Sequence, residues 1–199
     1  MKMYDARTFN LPELKGLSQE QVAAHLGLYQ GYVKHTNLLM EKIAAMRESE
    51  AEDNAYAIAE VRRRLGFEFN GMRLHEYYFE QFEGGAKALH EGGALAKAAQ
   101  EKYGAQGGLM AHMKEVAGTR GIGWVIVYWD AVGEQLHTAF VNDHELGQLA
   151  TLPIICALDL WEHAYMVDYL PSEKKKYLEA FFENLNWRVC EARFEEAAA

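Results

Sequence analysis

The hydrophobic pattern of this chain changes its period once, and that change limits the folds open to it. Between residues 19 and 82, apolar residues recur at the three- and four-residue spacing of amphipathic helices. After residue 122, two short runs (124–130 and 136–142) are rich in β-branched and aromatic residues, which favour strands. A glycine-rich stretch at 83–93 separates the two patterns. The sequence therefore predicts helices first, then further helices around a small sheet.

The elements follow from turn and cap residues. We predict a first helix capped by Ser18 and a second over 55–82, with a possible break between Gly66 and Gly71. Further predicted elements are shorter helices at 87–104 and 106–118, a hairpin turning at 131–135, a buried strand within 151–165, and one closing helix over 174–194.

The predicted fold class is α+β. Residues 1–84 would form an N-terminal two-helix antiparallel hairpin domain. Residues 85–199 would form a C-terminal domain of helices around a small three-stranded antiparallel sheet.

Composition excludes several classes of function. The 199 residues are 50% hydrophobic and 25% charged, which is typical of a globular protein. No apolar run approaches the ~20 residues of a membrane span, and the first residues lack a secretory signal, so we expect a cytoplasmic protein. Cys156 and Cys190 have no metal-binding spacing, which indicates free thiols in a reducing compartment. A net charge of −9 argues against nucleic acid or an anionic membrane as a partner.

The stretch 158–165, LDLWEHAY, carries the most chemical information. It places Asp159 and His163 four residues apart, within reach of one cation if the backbone turns. A carboxylate with imidazoles suits iron, manganese or zinc. Such a pair by itself is more often structural, so the neighbouring residues decide its meaning.

Those neighbours match a known signature. The pattern D-x-W-E-H-A-[FY] is complete here, and the chain resembles the iron/manganese superoxide dismutase family over nearly its whole length. The residues that carry the resemblance are Asp159, Trp161, Glu162, His163, Ala164, Tyr165, Tyr169, Tyr177-Leu178, Asn186-Trp187, and Gly121, Gly123 and Trp124 of a GIGW stretch.

The resemblance implies the remaining metal ligands. The family's first ligand is a histidine seven residues after a capping serine, which corresponds to His25. The second follows an FN-containing stretch and precedes an aromatic cluster, which corresponds to His75. One iron or manganese ion per subunit would thus be held by His25, His75, Asp159 and His163. Three neutral imidazoles and one carboxylate together carry one negative charge. An ion of charge +2 or +3 therefore leaves the site with net positive charge, which attracts the superoxide anion.

The residues around the expected ligands depart from the family pattern. Most members place a glutamine there, but Gly71 occupies the helix-two position and Asn142-Asp143-His144 replaces N-Q-D in the loop. Some iron-type members carry such a D-H pair. We therefore assign His144 as the outer hydrogen-bonding residue, which favours iron over manganese. The resemblance also implies that Trp161 lines the metal pocket and that Trp124 lies close to it.

Helix one departs as well. The family has a histidine four residues after the first ligand and a tyrosine eight after; here Tyr29 and Val33 stand at those places. We assign Tyr32 as the gateway tyrosine and Tyr29 as the replacement for the gateway histidine. Phe79 replaces a tryptophan, and Lys174 or Lys175 replaces an arginine near the substrate funnel.

The signature also implies an assembly. In the family, the glutamate equivalent to Glu162 reaches the partner subunit's metal-ligand histidine, and the residue equivalent to Tyr165 lines the same interface. We expect a homodimer. Pairing of dimers into tetramers stays open.

Three functions are consistent with the residues. The first is superoxide dismutation. The second is metal binding in the same fold with weak or no dismutase activity, because the lost glutamine could mistune the redox potential. The third is zinc-dependent hydrolysis, which is disfavoured since no HExxH-type base is evident. The other histidines are predicted to be structural or surface residues: His35, His90, His112 and His137.

Overall fold

Two long antiparallel helices form the N-terminal half. In the computed structural model, which describes residues 2–49, 52–104 and 108–199, α1 is Gln19–Ser49 and α2 is Ala55–Glu80. The Ser18 hydroxyl accepts a hydrogen bond from the Gln21 amide at 3.0 Å, so the predicted N-cap is confirmed.

The predicted break in the second helix is wrong, because α2 continues through both glycines. A Cβ added to Gly71 would lie 2.7 Å from the Tyr32 ring, so this glycine lets α1 and α2 approach closely. Tertiary packing therefore explains Gly71 here, and the helix does not end at it.

The C-terminal half contains the sheet. Its elements are α3 (Ala94–Tyr103), α4 (Gly108–Ala117), β1 (Gly123–Asp130), β2 (Gln135–Asn142), β3 (Ile154–Asp159), α5 (Lys174–Asn184) and α6 (Trp187–Ala197). The strand order is β2-β1-β3 with both pairings antiparallel, which confirms the α+β prediction. The register sets Trp124 opposite Asp159, so two expected site residues meet at one end of the sheet.

Two element predictions need correction. The closing helix is two helices, because the chain becomes extended at Leu185 and Asn186, and the Asn186 side chain caps α6 by accepting from the Arg188 amide at 3.1 Å. The helix predicted over 87–104 begins only at Ala94. Residues 106 and 107 of the next predicted helix lie outside the described residues.

A buried glutamine joins the helical half to the sheet. Gln81, just after α2, donates to the Ala157 carbonyl at 2.7 Å and accepts from the Ala157 amide at 2.8 Å. Both bonds lie two residues before Asp159, so they fix the end of β3 against the end of α2. The buried apolar side chains of both halves form one connected cluster. The proposed division at residue 84 stays a prediction.

Within the described residues, no helix is both long and apolar enough to cross a bilayer.

Candidate metal centre

Four separate segments bring potential metal ligands to one point. His25 comes from α1, His75 from α2, Asp159 from the end of β3, and His163 from a single 3-10 turn, Glu162–Ala164. One ligand atom from each side chain lies within 4.8 Å of the other three. The structure thus brings together the four residues that the sequence motifs indicated.

The spacing of these atoms fits one ion. The Asp159 Oδ2 atom lies 3.0 Å from His25 Nε2, 3.3 Å from His163 Nε2 and 3.6 Å from His75 Nε2. Ligand atoms about 2.1 Å from a common first-row metal, at angles of about 90–120°, are separated by about 3.0–3.6 Å. Nitrogen and carboxylate oxygen donors in this combination suit iron, manganese or zinc.

The orientation of two ligands is set by their second hydrogen-bonding atoms. His75 Nδ1 donates to the Gly71 carbonyl at 2.6 Å, which leaves the Nε2 lone pair free to face the centre. Asp159 Oδ1 accepts from the Trp161 amide at 2.8 Å, which leaves Oδ2 for the centre. Both groups are therefore preorganised as ligands.

Gln21 fixes the segment that carries His163, and the sequence analysis missed it. Its side chain is buried, donates to the His163 carbonyl at 2.8 Å and accepts from the Val167 amide at 2.9 Å. The available signal was its position, one helical turn before His25 on the same face of α1.

Burial and charge shape the protonation of the cluster. Burial lowers the pKa values of His25 and His75, which favours neutral imidazoles. Burial raises the pKa of Asp159, but the charges and hydrogen bonds of His163 and His25 outweigh it and hold that pKa below its usual range. Neutral imidazoles around a carboxylate are the protonation states that bind metal.

His144 lies between Trp124 and Tyr32 and is hydrogen-bonded to both. The Trp124 indole Nε1–H donates to His144 Nδ1 at 2.9 Å, so the neutral ring carries its proton on Nε2. That Nε2–H then donates to the Tyr32 hydroxyl at 2.9 Å. Burial lowers the pKa of His144 to about 4, which keeps this tautomer neutral.

Aromatic rings surround this layer. Trp161 stacks on His144 at 4.9 Å and on His163 at 5.5 Å between ring centroids. Phe67, which the sequence analysis did not single out, meets His144 edge-on at 4.6 Å. Phe79 packs against His25 at 4.9 Å. These rings exclude water from most of the centre while leaving His163 partly exposed.

Tyr29 is not part of this group. Its hydroxyl accepts from the Arg7 amide at 2.8 Å and donates to Glu76 Oε1 at 3.1 Å. The Glu76 carboxylate is buried and therefore needs hydrogen-bond donors, which explains why the Tyr29 hydroxyl points toward Glu76. The structure thus places Tyr32, and not Tyr29, beside His144.

The two residues expected at an interface differ in exposure. Glu162 is exposed, whereas Tyr165 is buried and stacks on Tyr177 at 5.1 Å. The Tyr177 hydroxyl donates to the Asp159 carbonyl at 2.7 Å. Tyr165 therefore supports the backbone of a ligand residue through Tyr177.

The lysine run at the start of α5 separates into different environments. Lys174 is half-buried, which lowers its pKa, and the Asp159 charge acts on it in the opposite direction. Lys175 is exposed, and Lys176 pairs with Glu173 at 2.6 Å. Lys174 is thus the least exposed lysine of this run.

The remaining histidines lie outside the cluster, in the described part of the chain. His35, His112 and His137 each lie near one carboxylate, at 3.9, 3.3 and 3.6 Å respectively. His90 is exposed. This placement agrees with structural or surface roles.

We expect restoration of the usual glutamine at position 71 to be harmful. The Tyr32 ring fills that space, so Gly71→Gln should displace Tyr32 and lower the free energy of unfolding by about 1–3 kcal/mol. Thermal unfolding and the superoxide-consumption rate would both report it. Gly66→Gln is the matched control, because a Cβ there meets only a Glu145 side-chain oxygen at 3.6 Å. Equal stability of the two variants would contradict the steric explanation.

The fold and the site together define a class of protein: an α+β chain with a buried three-histidine, one-aspartate cluster that fits a single transition-metal ion. Comparison with known proteins narrows this class. The sequence profile described as "Iron/manganese superoxide dismutases, C-terminal domain" matches residues 91–193. The chain belongs to the iron/manganese superoxide dismutase family.

Individual relatives cover most of the chain. The iron superoxide dismutase of Aquifex aeolicus is 33% identical over 188 residues, 92% of this chain and 87% of the relative. That of Saccharolobus solfataricus is 30% identical over 186 residues, 90% of this chain and 86% of the relative. A manganese superoxide dismutase of Haloferax volcanii is 33% identical over 172 residues, 85% and 82% of the two chains.

Proposed function

We propose that this protein is a superoxide dismutase that holds one iron or manganese ion with His25, His75, Asp159 and His163. Two superoxide anions and two protons become dioxygen and hydrogen peroxide. The observation that carries the proposal is the 3.0–3.6 Å separation of Asp159 Oδ2 from three imidazole nitrogens. The bound ion would supply reversible one-electron transfer between its +3 and +2 states.

Tyr32 and His144 are proposed to hold and orient a proton beside the centre. Because Trp124 fixes the His144 tautomer, the His144 Nε2–H occupies a lone pair of the Tyr32 oxygen. The Tyr32 O–H is then free to donate toward the centre, where peroxide formation consumes protons. Trp161 is proposed to exclude water and to keep His163 and His144 in parallel planes.

The hydrogen bonds of His144 favour an active dismutase over a metal-binding protein of the same fold with weak or no activity. His144 is proposed to take the place of the missing glutamine, because it is buried and hydrogen-bonded on both ring nitrogens. A residue held on both sides can tune the potential of a metal centre through hydrogen bonding. Loss of the glutamine therefore does not imply loss of function.

Iron is the proposed preferred metal. The Asp143-His144 pair resembles iron-type members, and the relatives from Aquifex aeolicus and Saccharolobus solfataricus are named as iron enzymes. The manganese enzymes of Haloferax volcanii have comparable identity, so metal choice needs measurement. We also propose a cytoplasmic location, consistent with Cys156 and Cys190 being buried free thiols.

The decisive experiment pairs metal analysis with a superoxide-consumption assay on one preparation. The chain would be unfolded, stripped with a chelator, and refolded with iron, manganese or zinc. We expect about one ion per chain, rapid turnover with iron, and none with zinc. Activity with manganese alone would overturn the iron preference. A filled redox centre without turnover would overturn the dismutase proposal.

A homodimer is proposed from the surface next to Glu162. Three apolar side chains that follow Glu162 and His163 in the chain are exposed: Met166 by 47%, Val167 by 48% and Leu170 by 65%. We call this group the apolar patch. Because His163 and Glu162 border this patch, a second copy docking there would bring its Glu162 near a metal-ligand histidine, as the family resemblance implies. A pair of such dimers forming a tetramer stays possible under this proposal.

Val167→Asp is expected to weaken the dimer at least about 10-fold, because docking would bury an unpaired carboxylate. Sedimentation across a concentration series would measure the dissociation constant. Val132→Asp is the control: Val132 is 98% exposed in the β1–β2 turn, away from the patch. A Val167→Asp protein that dimerises like the control would rule out this interface.

A further inference from the structure

A cationic side chain lies at the outer end of the ring stack that leads to the centre. The Arg64 guanidinium carbon lies 3.8 Å from the centroid of the Phe67 ring. Phe67 meets His144 at 4.6 Å, and His144 bonds Tyr32. Arg64 thus sits one ring outward from the proposed proton-holding pair, with a side chain that is 55% exposed.

Arg64 also compensates a buried negative charge. Its Nε and one terminal nitrogen lie 2.9 and 2.8 Å from Glu68 Oε1. The Glu68 side chain is only 6% exposed, and its other oxygen lies 3.9 Å from His35 Nδ1. Glu68 is one helical turn before Gly71, the residue against which the Tyr32 ring packs.

The charges of Arg64 and Glu68 lie close to Tyr32. The Phe67 ring, over which the Arg64 guanidinium stacks, lies 6.3 Å from the Tyr32 ring between centroids. The two opposite charges therefore act in opposite directions on any anion near Tyr32. Glu68 alone would repel superoxide, and Arg64 cancels that repulsion while leaving an exposed positive group at the rim.

We propose that Arg64 is a positioning residue for the substrate anion, held over Phe67 by stacking and by its pair with Glu68. The inference rests on the proposed dismutase function, since it concerns the approach of superoxide to that site. Charges at the rim of a site alter the association rate and its dependence on salt more than they alter the stability of the bound complex.

The test uses the metal-loaded protein and five variants. Arg64→Gln should lower kcat/KM about 5-fold at low ionic strength and reduce its decline with added salt, with little change in kcat. Glu68→Gln should raise kcat/KM above the parent value at low ionic strength, because the positive charge of Arg64 is then no longer offset. The double variant should return close to the parent, because neither charge is left unpaired. Arg62→Gln is the matched control. Arg62 is also exposed, but it lies about 200° around α2 from Arg64 and therefore on another face of the helix.

A second readout does not depend on turnover. Azide would serve as a small inorganic anion, titrated spectroscopically into the metal-loaded proteins. We expect about 5-fold weaker azide binding in Arg64→Gln and parent-like binding in the double variant and in Arg62→Gln. Arg64→Lys, which keeps the charge, should preserve the salt dependence. If Arg64→Gln fails to fold around the unpaired Glu68, Glu68→Gln decides: a kcat/KM above the parent value supports the role of Arg64, and a parent-like value overturns it.

The outcomes separate the two proposals. Identical salt dependence and azide binding in Arg64→Gln and Arg62→Gln would overturn the role of Arg64. A double variant as impaired as Arg64→Gln would overturn the compensation of Glu68. A parent protein that binds metal and azide without consuming superoxide would instead overturn the dismutase function and leave the electrostatic result standing.

Discussion

Replacing Asp159 with asparagine is expected to empty the metal centre and to lower superoxide consumption by at least about 100-fold, since even residues outside the ligand set typically cost 10–100-fold. The Oδ2 atom of Asp159 is the common neighbour of His25, His75 and His163. Asparagine has the same shape but lacks the charge that balances the ion, and its NH2 group cannot act as a ligand in the same way. Metal analysis of the purified variant, with stopped-flow kinetics, would measure both losses.

His137→Gln is a suitable control for the loss of Asp159. His137 lies on β2, 3.6 Å from Asp130 and outside the centre, so its replacement should leave metal content and turnover unchanged. Full metal occupancy in Asp159→Asn would show that the site does not need the carboxylate charge, since the asparagine carbonyl oxygen can still bind the ion. It would contradict the role assigned to that charge.

The second large effect is expected at His144. His144→Ala should retain the metal yet lose about 10–100-fold in turnover, because the Tyr32 hydroxyl loses its oriented donor. The Trp124 indole N–H would also lose its buried acceptor, which lowers the free energy of unfolding by about 1–3 kcal/mol. Kinetics, metal content and denaturant unfolding on one preparation would separate these effects.

Glutamine at position 144 provides the matched comparison. Its carbonyl can accept from Trp124 and its NH2 can donate to Tyr32, so His144→Gln should recover most of the activity and stability that His144→Ala loses. The redox potential should still shift, since an amide replaces an imidazole. A His144→Ala protein with unchanged turnover would remove His144 from the proposed mechanism.

The sequence does not distinguish Tyr29 from Tyr32 as the tyrosine beside the metal centre. Tyr29 and Tyr32 follow His25 by four and seven residues, and both spacings place them on the same face of a helix. Their different destinations depend on partners from other segments. Arg7 and Glu76 hold the Tyr29 hydroxyl, whereas Gly71 makes space for the Tyr32 ring and His144 binds its hydroxyl.

The structure at Gly71 and at the end of the chain also depends on contacts with other segments, which local sequence patterns do not contain. A glycine inside a helical pattern lowers helix propensity, which is why a break was predicted, but close packing against Tyr32 outweighs that local cost. The sequence of 174–194 predicts one closing helix, whereas in the structure Asn186 caps a new helix and its amide donates to the Gln81 carbonyl at 2.8 Å. Gln21 was missed because a buried glutamine has no pattern of its own.

Side-chain spacing along the sequence predicts the helices and strands, and hence the α+β fold, because this spacing follows from local backbone geometry. The contiguous 158–165 motif contains Asp159 and His163, whereas His25 and His75 follow from the resemblance to the family. Only the packed structure shows which tyrosine meets His144 and how Gln21 and Gln81 fix the segments that carry His163 and Asp159. Those outcomes depend on contacts between residues far apart in the chain, whose distances arise only when the helices and the sheet pack together.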